Sequence, residues 1–519
     1  MTAGNETFTD EYLKFTHWFS QVQVREDEPG VRVPEKTIRC IWNDQLFKTK
    51  KLRTTDGEEL EIVFPGYWNF GPGPDFKSAT ITVDGKIMEG DVELHVYSTD
   101  WKAHGHSANP EYGNVILHVF MWKGRGAAAE SKKEKSKKPA YIPGAQIHEL
   151  ELKNYLTKGI LELTEELDFE SYPILNQFNC GLCHNPLSRL SEEKLIHLLN
   201  AAGDARIYRK MDRFHDRIIA NGYEQTFYEG IAEALGYPSN KQPFQALADN
   251  LPLSVLRESI PPKSRKSEKV LTVQALLFGA AGLIDFTSMN ASLLSADDEK
   301  YFRKIQKLWD KHRHRIPPSP LRKRIWQFGG IRPANYPYRR IAGLAHLIVG
   351  HLADGMFSDY VKVFQSLVKQ WGNKGYTVKT ASRHFDFFCV EAQDYWSRHY
   401  APGGKELARP QQLIGPDRSR EITINIVLPI ALIYARASRS VEMESALNLL
   451  YQSGKGKTDN KLIRFMKHYI FGNKKEMLKI LSSEKQVQGL MQVYQDFCTQ
   501  NDNNCLRCQF PDVVNRYFA

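Results

Sequence analysis

Between Lys86 and Tyr97 the chain reads KIMEGDVELHVY, with acids and a histidine at every second position. Successive strand side chains take opposite faces, so Glu89, Asp91, Glu93 and His95 share one face while Met88, Val92, Leu94 and Val96 share the other. A half-exposed strand with a solvated polar face accounts for that alternation, and so does a strand that holds a metal ion. Upstream, Gly71, Pro72, Gly73 and Pro74 fix a tight approach to Asp75, and Asp84-Gly85 between two alternating runs is a hairpin signal. Asp75 and Glu93 stand at comparable offsets from that turn, so an antiparallel return sets Asp75 near Glu93 or His95. Carboxylates placed in this way hold Mg2+ or Mn2+, and the ion activates water against a phosphodiester. In that chemistry Asp75 and Glu93 are ligands and Asp91 is an auxiliary ligand or base. His95 positions or deprotonates the water.

The same residues resemble the PD-(D/E)XK nuclease pattern, through Pro74-Asp75 and then Glu93-Leu94-His95. The departure is His95, which stands where the pattern has lysine. The neighbouring histidines open a second chemistry. His95, His104, His106 and His118 fall in one short span with Asp100, and the H-x-H of His104 and His106 presents both rings to one ion if extended. An imidazole and carboxylate mixture suits zinc, manganese or iron better than magnesium.

Five of the seven cysteines are grouped. Cys180 and Cys183 form one C-x2-C pair, and Cys505 and Cys508 form another, with Cys498 as a competitor. Two such pairs supply the four thiolates of a closed structural zinc site, and an iron–sulfur cluster takes the same set. Disulfides are disfavoured in a reducing compartment. Cys40 and Cys389 stand alone in apolar surroundings and read as packed thiols.

A chain of 519 residues exceeds a single ordinary core, and its 42% hydrophobic and 25% charged content is that of a folded globular protein. No apolar run reaches the ~18 residues of a membrane helix, and no secretory signal is visible at the start, which sets a cytoplasmic expectation. The net charge of +10 suits an anionic partner such as DNA or RNA, although part of it sits in the run SKKEKSKKP at 131–139. Strand signals at Leu60–Phe64, Ser78–Val83, Ile87–Tyr97, Val115–Trp122 and Ala145–Leu152 follow a helix opened by Pro34. From Lys153 onward apolar residues recur at helical spacing. The reading is α+β: a mixed-sheet α/β domain over 1–152, then a larger, mostly helical domain over 153–519 whose ends the cysteines join. In that second domain Arg332, Tyr336, Tyr338, Arg339 and Arg340 interleave cations with aromatic rings. That is the chemistry of single-strand binding, and equally of a packed loop-to-helix junction.

Several longer stretches resemble the bacterial domain of unknown function 2851 family: PGYWNFGPGPDFKSATI, GDVELHVYSTDWKAHGH, YGNVILHV, GDARIYRK, GGIRPANYPYRRIAGLA and NIVLPIALIYA. The resemblance implies a cytoplasmic bacterial protein and carries over no catalytic residues. Three functions follow from the residues themselves. One is a metal-dependent phosphodiesterase or nuclease-like hydrolase of nucleic acid. Another is a non-catalytic nucleic-acid-binding or scaffolding protein with a structural cysteine site. The third is a histidine-based metal hydrolase of a small molecule.

Overall fold

The computed structural model describes residues 8–12, 33–69, 73–124, 147–160, 163, 164, 167, 181–236, 239–284, 294–316, 321–329, 331–374, 384–453, 461–472, 478–499, 505 and 508–518. The lysine-rich run at 131–139 and Cys180 lie outside them. The fold is α+β, a mixed sheet in the N-terminal part followed by a mostly helical remainder. Two compact units are formed. One comprises residues 11–203, 457–482 and 486–519, and the other comprises 1–10, 204–456 and 483–485. The boundary expected at 152 therefore falls inside the first of these.

In the unit holding the sheet, helix α1 (Glu35–Asn43) starts at Pro34, whose ring pre-sets the entering backbone. Strands β1 (Leu52–Arg53), β2 (Glu59–Phe64), β3 (Tyr67–Trp68), β4 (Phe76–Val83), β5 (Lys86–Tyr97), β6 (Val115–Trp122) and β7 (His148–Glu151) follow. They are ordered β1-β2-β4-β5-β6-β7, with β3 also pairing β4. The β4–β5 pair is the expected hairpin. Asp84 and Gly85 both have positive φ (46° and 79°), the requirement of a two-residue turn that matches strand twist. Phe76 lies opposite Val92, which puts Asp75 opposite Glu93. The links β5–β6 and β6–β7 are parallel, with Glu93 beside His118 and His118 beside Glu149. One row of same-face polar residues thus crosses four strands. The crossover from β5 to β6 is short, and its helix α2 (Asp100–Ala103) and following turns bring Trp101 and Tyr112 into a small cluster with Val115 and Ile147.

In the other unit, helices α3 (Lys266–Ala280), α4 (Ala296–His312) and α5 (Pro337–Gly350) belong to a large apolar core that includes Phe227, Leu276, Ile305, Leu344 and Leu432. The helix expected over 422–437 is present with a local widening. A π turn at Thr423–Val427 precedes Leu428–Ala437, which accommodates Pro429, whose ring clashes with the carbonyl one turn back in a regular helix. A buried ion cluster also sits here. Glu233 is 3% exposed and faces Arg213 at 2.8 Å, Lys241 at 3.2 Å and Arg217 at 3.8 Å.

Burial alone raises a carboxyl pKa, but the cations of Arg213, Lys241 and Arg217 outweigh it and bring Glu233 down to about 2. A folded-state value below the unfolded one gives stability that is complete above the unfolded pKa and lost as pH falls through about 2. The contribution is on the order of 3 kcal/mol. In urea unfolding, Glu233→Gln is expected to be less stable than wild type by that order at pH 7, with the gap closing toward pH 2. A gap independent of pH contradicts the assignment.

Candidate metal centre

Glu89 is exposed, but from Asp91 to His95 the polar face of β5 is buried. Asp91, Glu93 and His95 are 4%, 4% and 1% exposed, so the solvated-face explanation of the alternation does not hold. Such groups need partners, since a buried unpaired charge costs several kcal/mol. The partners differ along the strand, and the difference decides which side chains are available for chemistry.

Asp91 is fully engaged: Lys77 Nζ lies 3.0 Å from Oδ2, and the Ser78 N–H donates to Oδ1 at 3.1 Å. The register shift between Phe76 and Ala79 presents that Ser78 N–H. Asp75 is held on both oxygens as well. Arg39 Nε from α1 sits 2.8 Å from Oδ1, and the Leu94 N–H donates to Oδ2 at 3.0 Å. Glu93 is opposite, as the hairpin offsets imply, and its Oε2 accepts the Asp75 N–H at 3.0 Å. Its second oxygen, Oε1, turns to the histidines.

Glu93 Oε1 lies 3.2 Å from His106 Nε2 and 3.6 Å from His95 Nε2, and those two nitrogens are 3.1 Å apart. Three atoms with acceptor lone pairs close a triangle that needs a cation or a proton at its centre. Metal–ligand bonds of about 2.1 Å meeting at tetrahedral to octahedral angles give edges of roughly 3.0–3.4 Å, which the 3.1 and 3.2 Å edges match and the 3.6 Å edge slightly exceeds. His104 completes the group, and the ligand atoms of His95, His104 and His106 all lie within 4.8 Å of one another. The H-x-H pair is not extended. Gly105 between them has φ 72°, so a left-handed turn, and not the extended i, i+2 spacing that would also put both rings on one face, brings the two rings together. His104 is exposed, so the group is reached from solvent on its side.

The other nitrogen of His95 is also committed. Nδ1 lies 3.0 Å from His118 Nε2, and His118 Nδ1 lies 3.5 Å from Glu149 Oε1. His95 donating through Nδ1 leaves Nε2 as a lone pair aimed at the triangle, the tautomer that a metal ligand needs. His118 thus contacts His95 on the side of the ring away from the triangle. Burial, with His118, His106, His104 and Arg39 adding to it, pushes the His95 pKa down, and burial brings His106 down to about 4. Both rings are neutral at ordinary pH. Tyr112 stacks on His106 at 3.9 Å, its phenol raised by burial and by the Glu93 and Asp75 charges, and Trp101 packs 5.2 Å from His118. Sequence inspection missed Arg39, Tyr112, Trp101 and Glu149. The spacing of YGNVILHV and HELE relative to β5 carries no signal for them without the strand order.

The grouped cysteines are less convergent. Among the described residues no three of the cysteines form a group of metal-binding spacing, whereas His95, His104 and His106 do. Cys183, Cys498, Cys505 and Cys508 are in no disulfide among the described residues, and the Cys508 N–H donates to the Cys505 carbonyl at 3.2 Å. Burial raises the Cys498 thiol, and Cys508, Cys183 and Cys505 raise it further, while burial pushes Cys508 up to about 11.

The arginine–tyrosine run splits in two. Arg332 is exposed and Tyr336 half-buried, but Tyr338 is buried, stacked on Trp396 at 5.2 Å. Arg339, 1% exposed, donates to the carbonyls of Trp396, His399, Gln411 and Gln412. Arg340 donates to the Leu413 carbonyl at 3.0 Å and to Asn335, and burial pushes its pKa down to about 9. These two guanidinium groups hold the 396–413 segment against α5 and present no face to a phosphate. A lysine cannot reproduce the planar fork, so Arg339→Lys is expected to lower unfolding stability by about 3 kcal/mol and leave nucleic-acid affinity unchanged. Equal stability with lost affinity, read by urea unfolding and a filter-binding assay, reverses that conclusion.

No curated protein and no solved structure matches the chain. A family model described as protein of unknown function (DUF2851) matches residues 35–459. The matched span holds Asp75, Glu93 and all four histidines of the site, and it ends before Cys498, Cys505 and Cys508. The chain belongs to the DUF2851 family.

Proposed function

We propose that this protein is a metal-dependent hydrolase whose ion is held by His95, His104, His106 and Glu93, with phosphodiesters as its substrate class. One observation carries the reading: the meeting of His95 Nε2, His106 Nε2 and Glu93 Oε1 within 3.6 Å in a buried place beside the exposed His104. Three imidazoles and one carboxylate favour zinc, manganese or iron over magnesium. Asp75 and Asp91, already paired with Arg39 and Lys77, support the strand and leave the ion to the histidines. An ion held by these residues would supply a Lewis acid able to activate water near neutral pH. With an ion held there, the chemistry supplied would be attack of a water oxygen on phosphorus with cleavage of the bond to the leaving alkoxide, which would take up the proton that the water gives up. The phosphodiester class rests on the basic balance of +10.

Cys183, Cys498, Cys505 and Cys508, with Cys180, are the residues that would hold a separate structural zinc or iron–sulfur cluster. A non-catalytic binding protein is the alternative that the following experiment separates.

Full-length protein reconstituted with Zn2+ or Mn2+ is expected to cleave bis(4-nitrophenyl) phosphate or single-stranded DNA. The double variant His95→Ala/His106→Ala is expected to lose one equivalent of bound metal by mass spectrometry and to fall to the background rate. Wild type inert with Zn2+, Mn2+ and Mg2+, or a double variant that keeps metal and rate, contradicts the proposal.

A further inference from the structure

Helix α4 carries Lys300, Arg303, Lys304, Lys307 and Lys311, all exposed. Their spacing of three, one, three and four residues places them on one face, opposite the buried Tyr301, Phe302 and Ile305. Arg313 and Arg315 continue the exposed cations, and Arg322, Lys323 and Arg324 follow. Segment 321–326 returns to the same place. The Leu321 N–H donates to the Ala280 carbonyl at 2.8 Å, the Trp326 indole donates to the Ala281 carbonyl at 2.8 Å, and Trp309 of α4 packs over Gly279. The stripe on α4 and the triplet at 322–324 therefore flank one end of α3.

Residues 300–324 hold ten lysines and arginines and a single acid, Asp310, a net of +9 set against +10 for the entire chain. Asp297, Asp298 and Glu299 in the first turn of α4 border this stretch, and the run at 131–139 is a second basic concentration, so 300–324 is one of the places where the chain's positive charge gathers. The pairing is sparse. Arg303 lies 3.4 Å from Glu299, Arg313 lies 3.9 Å from Asp310, and Arg315 donates to the Glu258 carbonyl. Lys300, Lys304, Lys307 and Lys311 make no ion pair among the described residues.

We infer that this face binds the phosphate backbone of nucleic acid. From Lys300 to Lys311 the stripe runs about 16 Å at 1.5 Å per residue, the length of roughly five phosphates along one strand. A membrane surface fits less well, because an interfacial helix inserts its apolar face, and that of α4 is packed in the core. The exposed side of the helix offers charge without aromatic or aliphatic anchors, which favours contact with phosphates over base reading. The inference stands apart from the metal centre and holds whether or not that centre is catalytic.

The test is fluorescence anisotropy of full-length protein with a labelled 24-base-pair duplex and its single strand between 50 and 200 mM salt. Wild type is expected to bind with a log–log salt slope of about −4 to −5. Lys304→Glu/Lys307→Glu/Lys311→Glu is expected to weaken binding about tenfold or more and to reduce the slope by roughly 3. Thermal melting checks that this variant is folded. Lys48→Glu/Lys50→Glu/Lys51→Glu, three exposed lysines elsewhere, is expected to change affinity less than about threefold. The inference is overturned by no duplex or single-strand binding at 50 mM salt, by equal losses in the two triple variants, or by tighter binding to phosphatidylglycerol vesicles than to either nucleic acid.

Discussion

A neutral imidazole has one N–H and one lone pair, and His95 presents both to other imidazoles where water does not reach. Protonating the ring is opposed by burial and by three neighbouring histidines, so the ring cannot satisfy itself by charging. Once Nδ1 donates to His118, the remaining lone pair must meet a proton or a metal ion shared with His106 and Glu93. The placement of the surrounding residues follows from that requirement. Glu93 is steadied by the Asp75 backbone, Asp75 is neutralised by Arg39, and Asp91 is set aside against Lys77.

The sheet is what makes the requirement geometrically sharp. A row from Asp75 through Glu93 and His118 to Glu149 crosses β4, β5, β6 and β7 on one face, with strand pairing fixing each neighbour. The ladder sets lateral spacing, while the short β5–β6 crossover lays His104, His106 and Tyr112 over the row. The candidate ligands therefore come from a strand and from a turn whose Gly105 is left-handed.

Local chemistry was legible in the sequence to the extent that it depended on period and turn type. Alternation in KIMEGDVELHVY and the Asp84-Gly85 pair located β4 and β5 and the meeting of Asp75 with Glu93. What alternation could not reveal was burial, because the cover over Glu93 and His95 is formed by residues 101–112 and not by the strand itself. Arg39 was invisible for the same reason, being brought in from α1 by tertiary packing. The Arg339-Arg340 pair shows the converse. Its composition suits nucleic acid, yet both side chains are consumed by backbone carbonyls of a distant segment. The cationic face of α4 was overlooked because its charges, spread at helical spacing across an apolar run, do not read as a block.

The central claim is that a transition-metal ion sits among imidazoles on this sheet, and X-ray absorption at the metal edge addresses it directly. The protein loaded with one equivalent of Zn2+ should give a first shell of nitrogen and oxygen near 2.0–2.1 Å with the outer-shell scattering of histidine rings. A shell dominated by sulfur near 2.3 Å would place the ion at the cysteines instead, and a shell of oxygen alone would leave His95, His104 and His106 without a ligand role.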